Sequence, residues 1–114
     1  MAYEVVELEP LDSDYEVVIL ETAESEIGSI ISYMANILKS LQAAANFMAE
    51  LDRQIELIKS NPDIFAHSAL PELAAKNYHV SFVNNYIMLY TVRKERIYIT
   101  HVFHQTQEYA KLAQ

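Results

Sequence analysis

Apolar residues recur along this 114-residue chain in two periods, and the switch between them outlines an architecture. Tyr15-Glu16-Val17-Val18-Ile19-Leu20 is short, apolar and β-branched, the composition of a buried strand. From Ile27 the spacing becomes helical: Ile27, Ile30, Ile31, Met34 and Leu38 fall on one face, with Thr22 as the expected N-cap and Glu24 and Glu26 in the first turn. Gly28, the only glycine, interrupts that stripe at a cost to the helix and suggests a close contact. Ser40 reads as a second cap. Ala44, Phe47, Met48, Leu51, Ile55 and Ile58 then repeat the helical spacing until Asn61-Pro62 stops it. With so little chain between them, the two helices should form an antiparallel hairpin, with Met34 and Met48 in its core.

The period falls to two after residue 76. Tyr78–Val83, Tyr86–Val92 and Arg96–Val102 read as strands, divided by the turn signals Asn84-Asn85 and Arg93-Lys94-Glu95. Residues 60–76, with Pro62 and Pro71, form a loop, and His104 to Ala113 reads as a short C-terminal helix. The order β-αα-βββ-α is an α+β fold: a helical hairpin packed on a small, mainly antiparallel four-stranded sheet. Such a layout makes residues 1–114 a single domain, preceded within it by an arm over residues 1–14.

Charge sharpens that division. The net charge is −8, and nine of the sixteen acids lie in residues 1–26 without a single lysine or arginine. The remaining seven acids share residues 27–114 with all eight basic residues, so the body is near neutral and the front acidic. An acidic arm of this kind can screen a neighbouring anion-binding surface. There is no cysteine, so neither disulfides nor thiolate metal sites are expected, in keeping with a reducing cytoplasm. The N-terminus has no basic start of the secretory kind, and no run of eighteen apolar residues suggests a membrane span; the chain reads as soluble and cytoplasmic.

Several local motifs, in order, resemble those of the RelE/ParE toxins of bacterial and archaeal toxin–antitoxin pairs. These are Ala43-Ala44-Ala45-Asn46-Phe47 followed by Leu51, Ile55, Leu57 and Asn61-Pro62; Asn77-Tyr78-His79; Asn85-Tyr86-Ile87-Met88-Leu89-Tyr90; Ile97-x-Ile99-x-x-Val102-x-His104; and Tyr109-Ala110-Lys111-Leu112. The resemblance spans about residues 15–113. It implies a toxin neutralised by a cognate antitoxin protein. In the ribonuclease branch, which cuts mRNA, usually on the ribosome, it implies metal-independent attack by the substrate's own 2′-hydroxyl. That reaction requires a base, an acid and cations on the phosphate. Carried onto this chain, the resemblance assigns His104 as acid or base, His79 as its partner or a phosphate ligand, and Tyr109 to the base or phosphate. Lys59, Lys76 and Lys111 become the candidate phosphate contacts. No cofactor or metal is called for, because His101 and His104 should point to opposite faces of a strand. The family's other branch inhibits DNA gyrase and needs no catalytic set, and a third possibility is a member that binds only its antitoxin. Two departures bear on the choice: His79 stands where the family usually has arginine, and Glu108 where it usually has aspartate.

Overall fold

A computed structural model describes residues 15–64 and 75–106. The chain runs through β1 (Glu16–Ile19), α1 (Glu21–Ser32), a π-helical turn (Tyr33–Ile37), α2 (Leu41–Ser60), a 3₁₀ turn (Pro62–Ile64), β2 (Tyr78–Val83), β3 (Tyr86–Arg93) and β4 (Arg96–His104). The strand order is β1-β4-β3-β2, with β1 parallel to β4 and the other pairs antiparallel. The expected α+β layout of hairpin and sheet is therefore present. The acidic arm, the C-terminal helix, most of the loop before β2, and with them Tyr109 and Lys111, lie outside the described residues.

Each turn of the meander uses a residue that tolerates or is forced into the left-handed region. Asn84 has φ 58° between β2 and β3, and Lys94 has φ 58° between β3 and β4. The helical joint does the same at Lys39, φ 54°. There Ser40 caps α2 by accepting from the Ala43 N–H at 3.0 Å, as its place in the sequence suggested. Thr22 does not cap α1. The helix begins two residues earlier, on Leu20 in extended conformation with no side-chain cap, because Leu20 N–H is still held by Ile99 O of the sheet at 3.0 Å.

The core lies between the hairpin and one face of the sheet. Ala23, Met34, Ala44, Phe47, Leu51 and Ile58 meet Val83, Met88, Tyr90, Ile97, Ile99 and Val102. Two side chains placed on the apolar stripes fall outside it. Leu38 and Met48 are both about half exposed. The π-helical turn over residues 33–37 adds a residue to the turn, which carries Leu38 off the buried face. Gly28 meets nothing within 4 Å of an added Cβ, so the close contact expected there does not exist among the described residues.

β4 carries one irregularity that organises the edge of the sheet. Its register with β3 shifts between Leu89↔His101 and Tyr90↔Ile99, leaving Thr100 as an extra residue. That bulge puts Ile97, Ile99 and Val102 on the same inner face despite their uneven spacing. β1 pairs with β4 only as far as Ile99. Beyond it, Glu26 of α1 takes over, accepting from the Val102 N–H at 2.9 Å and lying 3.2 Å from His101 Nδ1.

Two substitutions test this reading. Ser40→Ala should lower unfolding free energy by about 1 kcal/mol, measured by denaturant titration, while Ser40→Asp should restore most of it. Glu26→Ala strands a half-buried strand N–H and should cost about 2 kcal/mol in the same assay; an effect no larger than that of an average surface mutation would discount the edge role given to Glu26.

Candidate functional site

The residues proposed for phosphate chemistry are distributed along the inner face and ends of the sheet, and their positions follow from strand register. His104 ends β4 opposite Tyr86 at the start of β3, and His79 lies on β2 opposite Tyr90. Tyr86 and Tyr90 are four residues apart on β3, which a strand's rise turns into about 13 Å. The two histidines therefore share a face of the sheet but stand toward opposite ends of it. One acid and one base acting on a single phosphodiester must each come within about 3 Å of it, and this spacing does not allow that for His79 with His104.

Their surroundings differ as much as their positions. His79 is 2% exposed and its ring stacks on Tyr90, centroids 5.0 Å apart and planes 13° apart. Tyr90 is fully buried and donates its hydroxyl hydrogen bond to the Pro62 carbonyl at 2.8 Å. Burial, and secondarily the Asp63 carboxylate, push the Tyr90 phenol well above its ordinary range, so it stays a neutral donor. The pair ties β2 and β3 to the turn that follows α2, and in that setting His79 is a core residue.

His104 is exposed. Its Nδ1 lies 3.0 Å from the Thr106 hydroxyl and 3.3 Å from the Thr106 N–H, and its ring meets Tyr86 edge to face at 5.4 Å. Tyr86 in turn contacts Phe47 of α2 at 5.2 Å. The Tyr86 phenol is held above its usual range, first by burial and then by nearby Tyr33. This end of the sheet thus presents an accessible imidazole beside a tyrosine and below the joint of the helical hairpin. That joint exposes a run of large apolar side chains, Tyr33, Ile37, Leu38 and Leu41, the last 78% exposed.

The expected cations are elsewhere. Lys59 lies in the last turn of α2, where its carbonyl accepts from Tyr15 N–H at 3.0 Å and its ammonium stands 3.9 Å from Glu56. Lys76 is exposed just before β2. Both sit at the end of the sheet where β1 begins, away from His104. His101, expected on the face opposite His104, is there: it is held by Glu26 on the far side of the strand from His104. No group of three or more potential metal-ligating side chains occurs among the described residues, nor any helix long and apolar enough to cross a membrane. Tyr109 and Lys111 lie outside the described residues.

The arrangement missed by the sequence is at the other face. There Tyr78, Thr91 and Tyr98 form one cross-strand row, with Arg93 and Arg96 one step along. In the sequence these residues stand apart in three strand patterns and a turn, and only register brings them together.

Comparison with known proteins bears on the whole domain. The family described as ParE toxin of type II toxin-antitoxin system, parDE, matches residues 17–109. A solved structure described as the chromosomal ParDE TA system from P. aeruginosa superposes with a TM-score of 0.64 at 11% identity, covering 81% of this chain and 97% of that one. At that identity the likeness is one of fold. No curated protein matches the chain.

The two histidines predict opposite phenotypes. His79→Ala should lower stability by about 2–4 kcal/mol, as loss of a buried ring does. His104→Ala should change it by no more than about 0.5 kcal/mol. Thermal unfolding of both variants checks the assignment.

Proposed function

The chain belongs to the ParE toxin family of type II toxin–antitoxin systems, and from that premise we propose that it is a toxin acting by binding, with DNA gyrase as its target and a cognate antitoxin as its neutralising partner. The observation that carries this reading is the separation of the groups a ribonuclease would need. His79 is packed in the core against Tyr90, about 13 Å along the sheet from His104. Lys59 and Lys76 are at the far end. A toxin that works by occupying a partner's surface needs no such set. It needs apolar anchors held on a rigid frame, and the hairpin joint offers Tyr33, Ile37, Leu38 and Leu41 beside the Ser40 cap.

A metal-independent mRNA endoribonuclease is the second reading, and one specific feature favours it. His104 is an exposed imidazole at the mouth of the sheet, with Tyr86 against it and Tyr109 and Lys111 shortly after it in the chain. Imidazole titrates near neutrality and can serve as acid or base. In this reading mRNA, free or on the ribosome, would be the substrate, and His104 would act with residues other than His79.

Expression of the chain alone, with and without the small protein encoded beside it, separates the readings. The expected result is growth arrest relieved by co-expression, inhibition of gyrase supercoiling by the purified protein, and no new mRNA 5′ ends. His104→Ala should remain toxic. Retained supercoiling together with mRNA cleavage that His104→Ala reduces by about 10²-fold or more would overturn the gyrase reading in favour of the second. Absence of toxicity despite a stable antitoxin complex would leave a member of the family that only binds its antitoxin.

A further inference from the structure

We propose that the outer face of the sheet holds a site for a single nucleotide, a planar base with one phosphate, at the end formed by the β3–β4 turn. The site is independent of the toxin's target and of His104, which stands at the opposite end of the sheet.

Its floor and walls come from register. Tyr78 on β2 pairs with Thr91 on β3, and Thr91 pairs with Tyr98 on β4. Alternation puts all three on the face away from the helical hairpin. Two tyrosines therefore flank a small residue across two strand spacings, about 9.5 Å between backbones. A planar ring in contact with an aromatic on each side needs about 7 Å. Thr91 donates its hydroxyl to the Asn77 carbonyl at 3.0 Å, and Thr100 donates to the Leu89 carbonyl at 3.3 Å, so both hydroxyls are already engaged with backbone. Together with Leu20 and Arg93 these residues line a cleft of about 350 Å³, near the lower size of small-ligand sites.

Charge is placed one step along the strands. Arg93 and Arg96 face each other on adjacent strands, about 7 Å beyond the tyrosine row. Arg96 is already engaged: Glu16 lies 3.0 Å away, and its guanidinium pKa is raised by Tyr98 and then by Glu16. No carboxylate pairs with Arg93 or Lys94 among the described residues. A second, wider hollow that includes Arg93, Lys94 and Tyr98 adjoins the cleft and shares Arg93 and Tyr98 with it. A base between the tyrosines would thus direct its phosphate, one ribose away, at an uncommitted guanidinium capable of a two-pronged contact.

The same bookkeeping of charge limits the ligand to one nucleotide. The chain carries a net charge of −8, and Glu16 and Glu95 border the wider hollow. Two free cations can hold one phosphate; they cannot track a polyanionic backbone, which loses affinity with each uncompensated charge.

Calorimetric or NMR titration of the full chain tests this with four probes: adenosine 5′-monophosphate, adenosine, inorganic phosphate and a short single-stranded oligonucleotide. The expected order places the monophosphate first, each half of it about tenfold weaker, and the oligonucleotide no tighter than the monophosphate. Arg93→Gln, which removes an exposed guanidinium with no ion pair among the described residues, should weaken the monophosphate about tenfold and leave adenosine unchanged. Tyr98→Ala should weaken both about tenfold. Inorganic phosphate binding as well as the nucleotide, an oligonucleotide binding far more tightly with a steep salt dependence, or no response to the monophosphate at millimolar concentration would each overturn the proposal. So would indifference of the monophosphate to Arg93→Gln.

Discussion

β4 is the strand on which the rest of the molecule depends, and its constraint is an edge that a neighbouring strand covers only in part. β3 pairs with it along its whole length, but parallel β1 stops at Ile99. A buried strand N–H left without a partner costs as much as several good contacts gain. Here the carboxylate of Glu26 takes the place of the missing strand at Val102. The position of α1 follows from that bond: it must lie along the edge, near enough for a glutamate in its second turn to reach the backbone. With α1 fixed there, Ala23, Ile27, Ile30 and Ile31 turn toward the inner face of the sheet. α2 then closes the layer, and a buried hydrogen bond from Ser81 to Gln54 at 2.8 Å pins it over β2.

The Thr100 bulge serves the same end. Without the extra residue, Val102 and His104 would point away from Ile97 and Ile99, and the inner row would break halfway along the strand. With it, Val102 stays in the core and His104 is turned onto Tyr86. His101 goes the other way, to Glu26. One inserted residue thus decides which histidine is a structural partner of α1 and which is presented to solvent.

Much of the fold was legible because its signals are local. The three strands of the meander, their asparagine and lysine turns and the Ser40 cap each depend on a few adjacent residues, and each stands where its pattern put it. The errors came from tertiary effects. Thr22 loses the cap because a sheet hydrogen bond at Leu20 sets the start of α1. Leu38 leaves the stripe because a π-helical turn adds a residue that periodicity does not reveal. The candidate site was less legible for the same reason. A motif can nominate His79 and His104 but cannot measure the three residues of β3 that lie between their partners, nor the burial of His79 against Tyr90.

The two faces of the sheet divide the chemistry of this chain. Away from His104 at its far end, the inner face is committed to packing: His79 stacks on Tyr90, Tyr90 bonds to the turn after α2, and Ser81 bonds to α2. The outer face packs Ile87, Leu89 and Phe103 into a second apolar cluster toward one end, and among the described residues the end near the β3–β4 turn combines open space with unpaired charge. Arg93 there serves neither an ion pair, since it has none among the described residues, nor the turn, whose left-handed position is Lys94. A side chain that stabilises neither the turn nor the sheet can change without cost to folding, whereas the same exchange at His79 removes a stacked ring from the core. Stability therefore constrains the inner face and leaves the outer end of the sheet free to be set by what it binds.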